Sequence, residues 1–331
     1  MSEKKNLDIV QTLSSPRNRD LFRNDWQGKI VRRALIGELF LRGKLGAAET
    51  FRGLLPWRAP LFKGWRNDFD YSSLLAGYFL KDKNYAFNPV NFLGYELNYL
   101  PVDFTGADDW AKAFCVAADM VAQIVSVDQY CAREFIKKNS TIIDVGANIG
   151  IFSLFANYLS RSGNVYAFEP TPKIFAILER NVTANNLSQN IHIVNKALGD
   201  KDRKIMLMQS PDALESANRV VESNLLINNK RGLVNFEEVS MTTLDKFIQE
   251  SNIKKVDFIK IDAEGYEQQI LKGAGEVIKK FSPVIACSAY HLKNDEMEIP
   301  KLVLSLNDQY DYRLEKRREK DLIFWPKNNH D

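Results

Sequence analysis

From residue 140 onward the apolar positions fall into short blocks whose period keeps changing. "STIIDV" is a near-continuous run, with Thr141, Ile142, Ile143 and Val145 around a single acid, Asp144, which is how a strand covered on both faces reads. Beyond two glycines, Ile151, Leu154, Phe155, Tyr158 and Leu159 recur at spacings of three and four, the period of an amphipathic helix. The pattern predicts strand 140–145, helix 150–160, strand 164–169, helix 172–185 and strand 190–195. It resumes as helix 242–250, strand 255–262, helix 265–280 and strand 283–290, and closes with helix 296–306 and strands near 310–315 and 321–325. Strands alternating with helices in this way predict an α/β fold with a doubly wound sheet.

Residues 203–240 break the rhythm. "KIMLMQ" and "FEEVSM" read as two antiparallel strands joined by a polar loop over 209–235, and a connection of that length is more often functional than idle. Upstream, 67–130 reads as helices and irregular links, with an apolar helix in "DDWAKAFCVAADMVAQIVSV" and a short amphipathic helix over 128–138 that leads into the first strand. The chain therefore divides into an extension, 1–127, expected to be mostly helical, and an α/β domain, 128–331.

Charge sharpens the picture of the extension. The net charge of +3 hides an asymmetry, since residues 1–66 hold 14 Lys/Arg against 6 Asp/Glu and leave 31 against 36 for the rest. A basic amphipathic segment permits contact with a membrane surface or nucleic acid, and a packed helical extension with a solvated basic face is the blander reading. Nothing in the pattern calls for a nucleic-acid partner. Cys115, Cys131 and Cys287 are far apart and match no zinc or disulfide spacing, so they read as buried thiols. With no apolar leader at the start and no run of membrane-spanning length, a cytoplasmic location is expected.

The candidate chemistry begins at the glycine turn. Gly146, Ala147, Asn148, Ile149 and Gly150 link strand to helix, an arrangement that aims backbone N–H groups above the strand's carboxyl end. A dinucleotide fingerprint would need glycine where Asn148 stands, which disfavours the alternative of an NAD-dependent oxidoreductase. In "NVYAFEP", Glu169 lies at the end of the second strand, where a carboxylate can take both hydroxyls of an adenosine ribose.

"IIDVGANIGIFSL", "VYAFEP", "NKALGD", "MTTLDKF" and "DFIKIDAEGYEQQILKGA" together resemble the FkbM family of S-adenosylmethionine-dependent methyltransferases over roughly 128–325. The resemblance implies a class I methyltransferase (Rossmann-like) fold, a seven-stranded mixed sheet with its final strand antiparallel, and methylation mostly of hydroxyl oxygens. It implies that Asp144, Gly146, Ala147, Asn148 and Gly150 surround the methionine part of S-adenosylmethionine and that Glu169 holds the ribose. Lys196 and Ala197 would lie beside the adenine, although Lys196 departs from the Asp usual there. Asp262 would face the reactive end of the cofactor.

Methyl transfer to an alcohol requires an acceptor oxygen held in line and a route for its proton. Alternation along "DFIKIDAEG" puts Phe258, Lys260 and Asp262 on one face, and a buried Lys needs a partner. Lys260 either orients Asp262 or an acceptor hydroxyl, or it forms a structural ion pair with Glu264 or another carboxylate. Glu264 either complements a helix end or holds a substrate hydroxyl. In "VIACSAYHLKNDE", His291 sits past the next strand as a candidate general base, with a loop hydrogen-bonding role as the alternative. Asp262 and Glu264 are oxygen ligands of the kind Mg²⁺ takes, but two carboxylates do not make a metal site and none is assigned. The expected function is O-methylation of a hydroxyl on a small molecule or glycan precursor. The other alternative is a membrane-surface or scaffold protein that keeps the fold. Oligomeric state is not readable.

Overall fold

A computed structural model describes residues 5–8, 85–100, 116–117, 120–208, 219–221, 236–317 and 319–327. Most of the basic N-terminal segment, Cys115, and most of the 209–235 loop lie outside the described residues, and with them the expectations of a helical extension and a membrane-contacting face. Among the described residues, no helix is long and apolar enough to cross a membrane.

The strands are β1 (Lys5–Asp8), β2 (Tyr85–Phe92), β3 (Tyr95–Leu97), β4 (Thr141–Val145), β5 (Asn164–Phe168), β6 (Ile191–Val194), β7 (Ala197–Leu198), β8 (Arg203–Met208), β9 (Arg219–Val221), β10 (Phe236–Thr242), β11 (Phe258–Ile261), β12 (Val284–Ser288), β13 (Tyr310–Glu315) and β14 (Asp321–Pro326). The helices are α1 (Ala132–Phe135), α2 (Ile151–Ser160), α3 (Pro172–Ala184), α4 (Leu244–Glu250), α5 (Glu267–Lys272), α6 (Gly275–Phe281) and α7 (Asp295–Leu306), preceded by a π-helical turn at Ala122–Ser126. Seven strands form the central sheet in the order β13-β14-β12-β11-β4-β5-β6. β14 runs antiparallel to β12 and β13, while β12, β11, β4, β5 and β6 are mutually parallel. This is the class I methyltransferase order, with the last strand in sequence reversed.

Alternation along the parallel strands sends neighbouring residues into two cores. Ile142 and Phe258 join one, covered by α2, α3 and the segment from Val90 to Tyr99. Ile143, Val145, Ile259 and Ile261 join the other, covered by α4 to α7 and by Ile205, Leu207, Val239 and Met241 from a second sheet. That four-stranded sheet has the order β7-β10-β8-β9, and β8 and β10 pair antiparallel.

Three elements differ from the periodic pattern. The helix expected over 265–280 is two, α5 and α6, because the Gly273 carbonyl accepts from Asp245 N–H at 3.0 Å and a Cβ on Gly273 would lie 1.9 Å from the Gly199 carbonyl oxygen. Over 128–138 only Ala132–Phe135 is helical, since Asp128 and Cys131 have φ of 54° and 53° and the Asp128 carboxylate caps the N–H groups of Ala132 and Arg133 instead. Upstream of 128 the described residues include β1 to β3 and the π-helical turn, and Val90, Phe92, Leu97, Tyr99 and Val121 continue the main core. Asn181 on α3 and Asn185 just past its end act like a partner strand, each accepting from and donating to one backbone residue, Asn98 and Glu96 respectively, at 2.7–2.9 Å. Asn181 also donates to the Ile149 carbonyl at 2.7 Å, which ties this segment to the glycine turn.

Candidate active site

The turn from β4 into α2 is left-handed at Gly146, Asn148 and Gly150, with φ of 73°, 53° and 93°. What comes close to its glycines is the chain itself: a Cβ on Gly146 would stand 1.9 Å from the Asp262 carbonyl oxygen, and one on Gly150 2.6 Å from Leu178 Cδ1. The N–H groups are engaged internally as well. Those of Gly146 and Ala147 donate to the Phe168 carbonyl at 3.0 and 2.9 Å, and that of Gly150 to Ala147. Asn148 N–H donates to Glu169 Oε2 at 3.0 Å and Ile149 N–H to the Asn148 side chain. The expectation of free N–H groups aimed at a ligand is therefore corrected. The turn's work is to lock the ends of β4, β5 and β11 together.

Asp144 and Lys260 are also turned inward. Asp144 is fully buried, 3.2 Å from Lys260 Nζ, and accepts from Ser153 Oγ at 2.6 Å. The Lys260 ammonium also donates to the carbonyls of Val145 and Gly146 at 3.1 and 2.7 Å. Of the two readings of Lys260, the ion pair holds, with Asp144 as the carboxylate rather than Glu264. Lys260 thus lies on Asp144 rather than on Asp262, and the Asp144 carboxylate faces Lys260 and Ser153 behind the turn. Both charges are used up in bracing the turn, and Asp144 exposes no surface.

Glu169 follows β5 and is buried. Its Oε1 accepts Thr171 N–H at 2.9 Å while Oε2 takes Asn148. Burial pushes its pKa up, partly offset by these bonds and by the Lys260 charge. Asn195, past β6, donates to the carbonyls of Glu169 and Pro170 and fixes the neighbouring bend, while Lys196 is exposed and Ala197 buried in β7.

A denser cluster lies past β11 and β12. Asp262 Oδ2 accepts from Tyr130 O–H at 2.7 Å. Tyr130 is buried edge-on against Phe152, with Lys260 Nζ 5.6 Å from its ring centre. Burial and the Asp262 charge push the Tyr130 phenol pKa well up, so it remains a donor. Glu264 and Gly265 take φ of 53° and 97° to reverse the chain, and Glu267 Oε1 accepts the N–H groups of Ala263 and Gly265 at 2.9 and 3.3 Å. His291 Nδ1 lies 2.8 Å from that same oxygen, and Nε2 lies 3.7 Å from Asp262 Oδ1 and 3.6 Å from Glu264 Oε2. Burial alone would depress the imidazole, but its hydrogen bond to Glu267 and the charges of Glu267, Asp262 and Glu264 prevail and lift its pKa to about 9. At neutral pH His291 is thus an imidazolium with two donors, and it accepts a proton only after losing one. Nearby in the same chain segments, buried Asp321 accepts from Gln129 Nε2 at 3.2 Å and Ser288 Oγ at 3.1 Å. Burial first, then the Asp262 charge, pushes its carboxyl up to about 8.

Sequence reasoning missed Tyr130, Glu267 and Asp321. Glu267 sits inside the quoted motif "DAEGYE", three residues beyond Glu264, so a signal was there. Tyr130 and Asp321 reach the site only through the fold.

The groups present suit an adenosyl sulfonium cofactor. Glu169, which accepts from Asn148 and from both the backbone and the side chain of Thr171, still offers a carboxylate acceptor to a ribose hydroxyl. Asp262, Glu264 and Glu267 outnumber the single imidazolium, which favours a cationic ligand. Asp262 Oδ1 and Glu267 Oε2 are buried with no hydrogen-bond partner.

The chain is 30% identical over 146 residues to Methyltransferase 1 of Beauveria bassiana, covering 41% of this chain and 58% of that protein. It is 25% identical to the hexuronic acid methyltransferase AglP of Haloferax volcanii, covering 50% and 62%, and 27% identical to the 31-O-demethyl-FK506 methyltransferase FkbM of Streptomyces tacrolimicus, covering 42% and 60%. It thus spans less than two thirds of the length of these curated relatives. A crystal structure of methyltransferase FkbM from Methylobacillus flagellatus aligns with a TM-score of 0.42 at 19% identity, covering 67% of this chain and 56% of that one. Residues 144–314, just over half of the 331, match the profile of the methyltransferase FkbM domain, and the chain belongs to that family.

Proposed function

We propose that the chain is an S-adenosylmethionine-dependent O-methyltransferase acting on a hydroxyl of a sugar or glycan-like precursor. The observation that carries this reading is that one short turn touches both ends of the site. Asn148 N–H holds Glu169, and Gly146 packs on the carbonyl of Asp262. On this reading Glu169 takes the ribose and Asp262 the acceptor, both standing just past the ends of parallel strands, where open α/β sheets bind ligands.

When bound, the cofactor supplies an electrophilic methyl group on a cationic sulfur. Glu169 accepts the ribose hydroxyls. Asp262, its second oxygen fixed by Tyr130, orients the acceptor hydroxyl toward the methyl carbon and draws off its proton, while His291, an imidazolium at neutral pH, stands beside it as a donor. Glu267 holds the imidazole ring in place. The sugar or hydroxyl acceptor is supported by two relatives, one named for a hexuronic acid and one for a 31-O-demethyl substrate.

The test is incubation of the purified protein with isotopically labelled S-adenosylmethionine and a glycan pool, followed by mass spectrometry. Label is expected on a sugar oxygen. Binding of S-adenosylhomocysteine with no label on any oxygen acceptor would remove the O-methylation reading while leaving the cofactor.

A further inference from the structure

We propose that Asp262, Glu267 and His291 form a divalent-cation site, and that the cation holds the acceptor hydroxyl. The inference rests on the O-methyltransferase reading for what the ion does, but not for where it binds. One ligand atom from each of the three residues lies within 4.8 Å of the other two. Ligands of a six-coordinate ion with bonds of about 2.1 Å stand roughly 3.0 Å apart when adjacent and roughly 4.2 Å apart when opposite, so side-chain rotations that draw these atoms together by up to about 1.8 Å close the site.

The cluster is more than an acidic patch. Its members come from three separate places, the ends of β11 and β12 and the first turn of α5. Glu267 is 1% exposed. Two of its buried carboxylate oxygens, Asp262 Oδ1 and Glu267 Oε2, have no donor, which is costly for a buried polar atom unless something else supplies the contact. The remaining oxygens are held from outside the cluster, Asp262 Oδ2 by Tyr130 and Glu267 Oε1 by the backbone of Ala263 and Gly265. Such outer contacts orient the ligands of metal centres. Glu264 Oε2, 3.6 Å from His291 Nε2, adds further negative charge. Two carboxylates and one imidazole, which gives up its Nε2 proton to water as the ion binds, suit Mn²⁺ or Mg²⁺, with positions left for water and for the acceptor oxygen. There the ion acidifies the hydroxyl. Its O–H proton passes to water as the oxygen forms its bond to the methyl carbon, and the carbon–sulfur bond breaks with its electron pair left on sulfur.

The experiment is titration of the EDTA-stripped full chain with Mn²⁺, followed by the electron paramagnetic resonance signal of the free ion. A single saturable site is expected, weakened at least tenfold by Asp262→Asn and by Glu267→Gln in protein shown to be folded by circular dichroism. Glu267→Gln also loosens the Ala263–Gly265 turn, so Asp262→Asn decides the matter if the other variant unfolds. No saturable binding, or binding unchanged in Asp262→Asn, overturns the site. Calorimetry with S-adenosylhomocysteine in EDTA separates the two readings. Cofactor binding without any Mn²⁺ binding sinks the ion alone, and Mn²⁺ binding without cofactor affinity leaves the ion site standing while removing the methyltransferase reading.

Discussion

Tyr130 donates a 2.7 Å hydrogen bond to Oδ2 of Asp262, joining residues 132 positions apart and leaving the other oxygen to face the site. A hydrogen bond to a charged group contributes about 1.5–3 kcal/mol, and in the proposed reaction this one sets which oxygen the acceptor meets. Tyr130→Phe is expected to lower kcat roughly tenfold or more with S-adenosylhomocysteine affinity nearly unchanged. Steady-state kinetics beside calorimetry checks it, and an equal loss in both would mean that the phenol only supports the fold.

Glu169 carries the cofactor prediction. Replacing it with alanine should weaken S-adenosylmethionine binding by about tenfold or more, from the loss of charge-assisted bonds to the ribose. Because Glu169 also caps Asn148 and Thr171, the melting temperature should fall too. Glu169→Gln, which keeps an acceptor oxygen, separates the two effects; unchanged affinity in both folded variants would take Glu169 out of the site.

Lys260→Met is expected to act on stability. It leaves the Asp144 carboxylate uncompensated in the core, and breaking a buried pair costs about 3–5 kcal/mol. The double variant with Asp144→Asn should recover much of the loss in urea denaturation. A Lys260→Met protein of normal stability and abolished turnover would return the lysine to catalysis.

Gly146→Ala should be at least as damaging, since its new methyl would meet a backbone carbonyl 1.9 Å away at a φ of 73°. Neither strand can yield without opening the sheet, so low soluble yield or a large drop in melting temperature is expected. A folded, fully active variant would show that β4 and β11 separate at this end.

Asp321 gives a pH signature. Its folded-state pKa, about 8, lies above the unfolded value near 3.9, so the protonated side chain favours the fold at low pH and this contribution is lost as pH rises toward 8. The melting temperature of Asp321→Asn relative to the unaltered protein should therefore climb between about pH 5 and 8 and level off above. A difference that stays flat across that range would mean that Asp321 is ionised in the fold.

The period of apolar residues was enough to place β4 through β6, α2, α3, β11 and β12 within a few residues, because each is buried by its own repeating face. Glu169 and Asp262 were legible for a related reason: both stand just past a hydrophobic run, and the ends of parallel strands are where such a sheet gathers ligands. Partners were not legible. The pattern leaves Lys260 open between Asp262, an acceptor hydroxyl and an ion pair with Glu264 or another carboxylate, and it is the pairing of adjacent parallel strands that sets Lys260 beside Asp144 in the core. The glycines mark a turn that something approaches closely, and only packing shows that the approaching groups are Asp262 and Leu178. Tyr130, Asp321 and the Asn98–Asn181 contact depend on closures of 83 to 132 residues or on the β12–β14 pairing, which no local pattern encodes. Local sequence sets where strands and turns occur, since that depends on each segment's own burial and backbone freedom. Which charges meet, and therefore which carboxylate is neutralised and which is left facing the site, is decided only when distant segments are packed side by side.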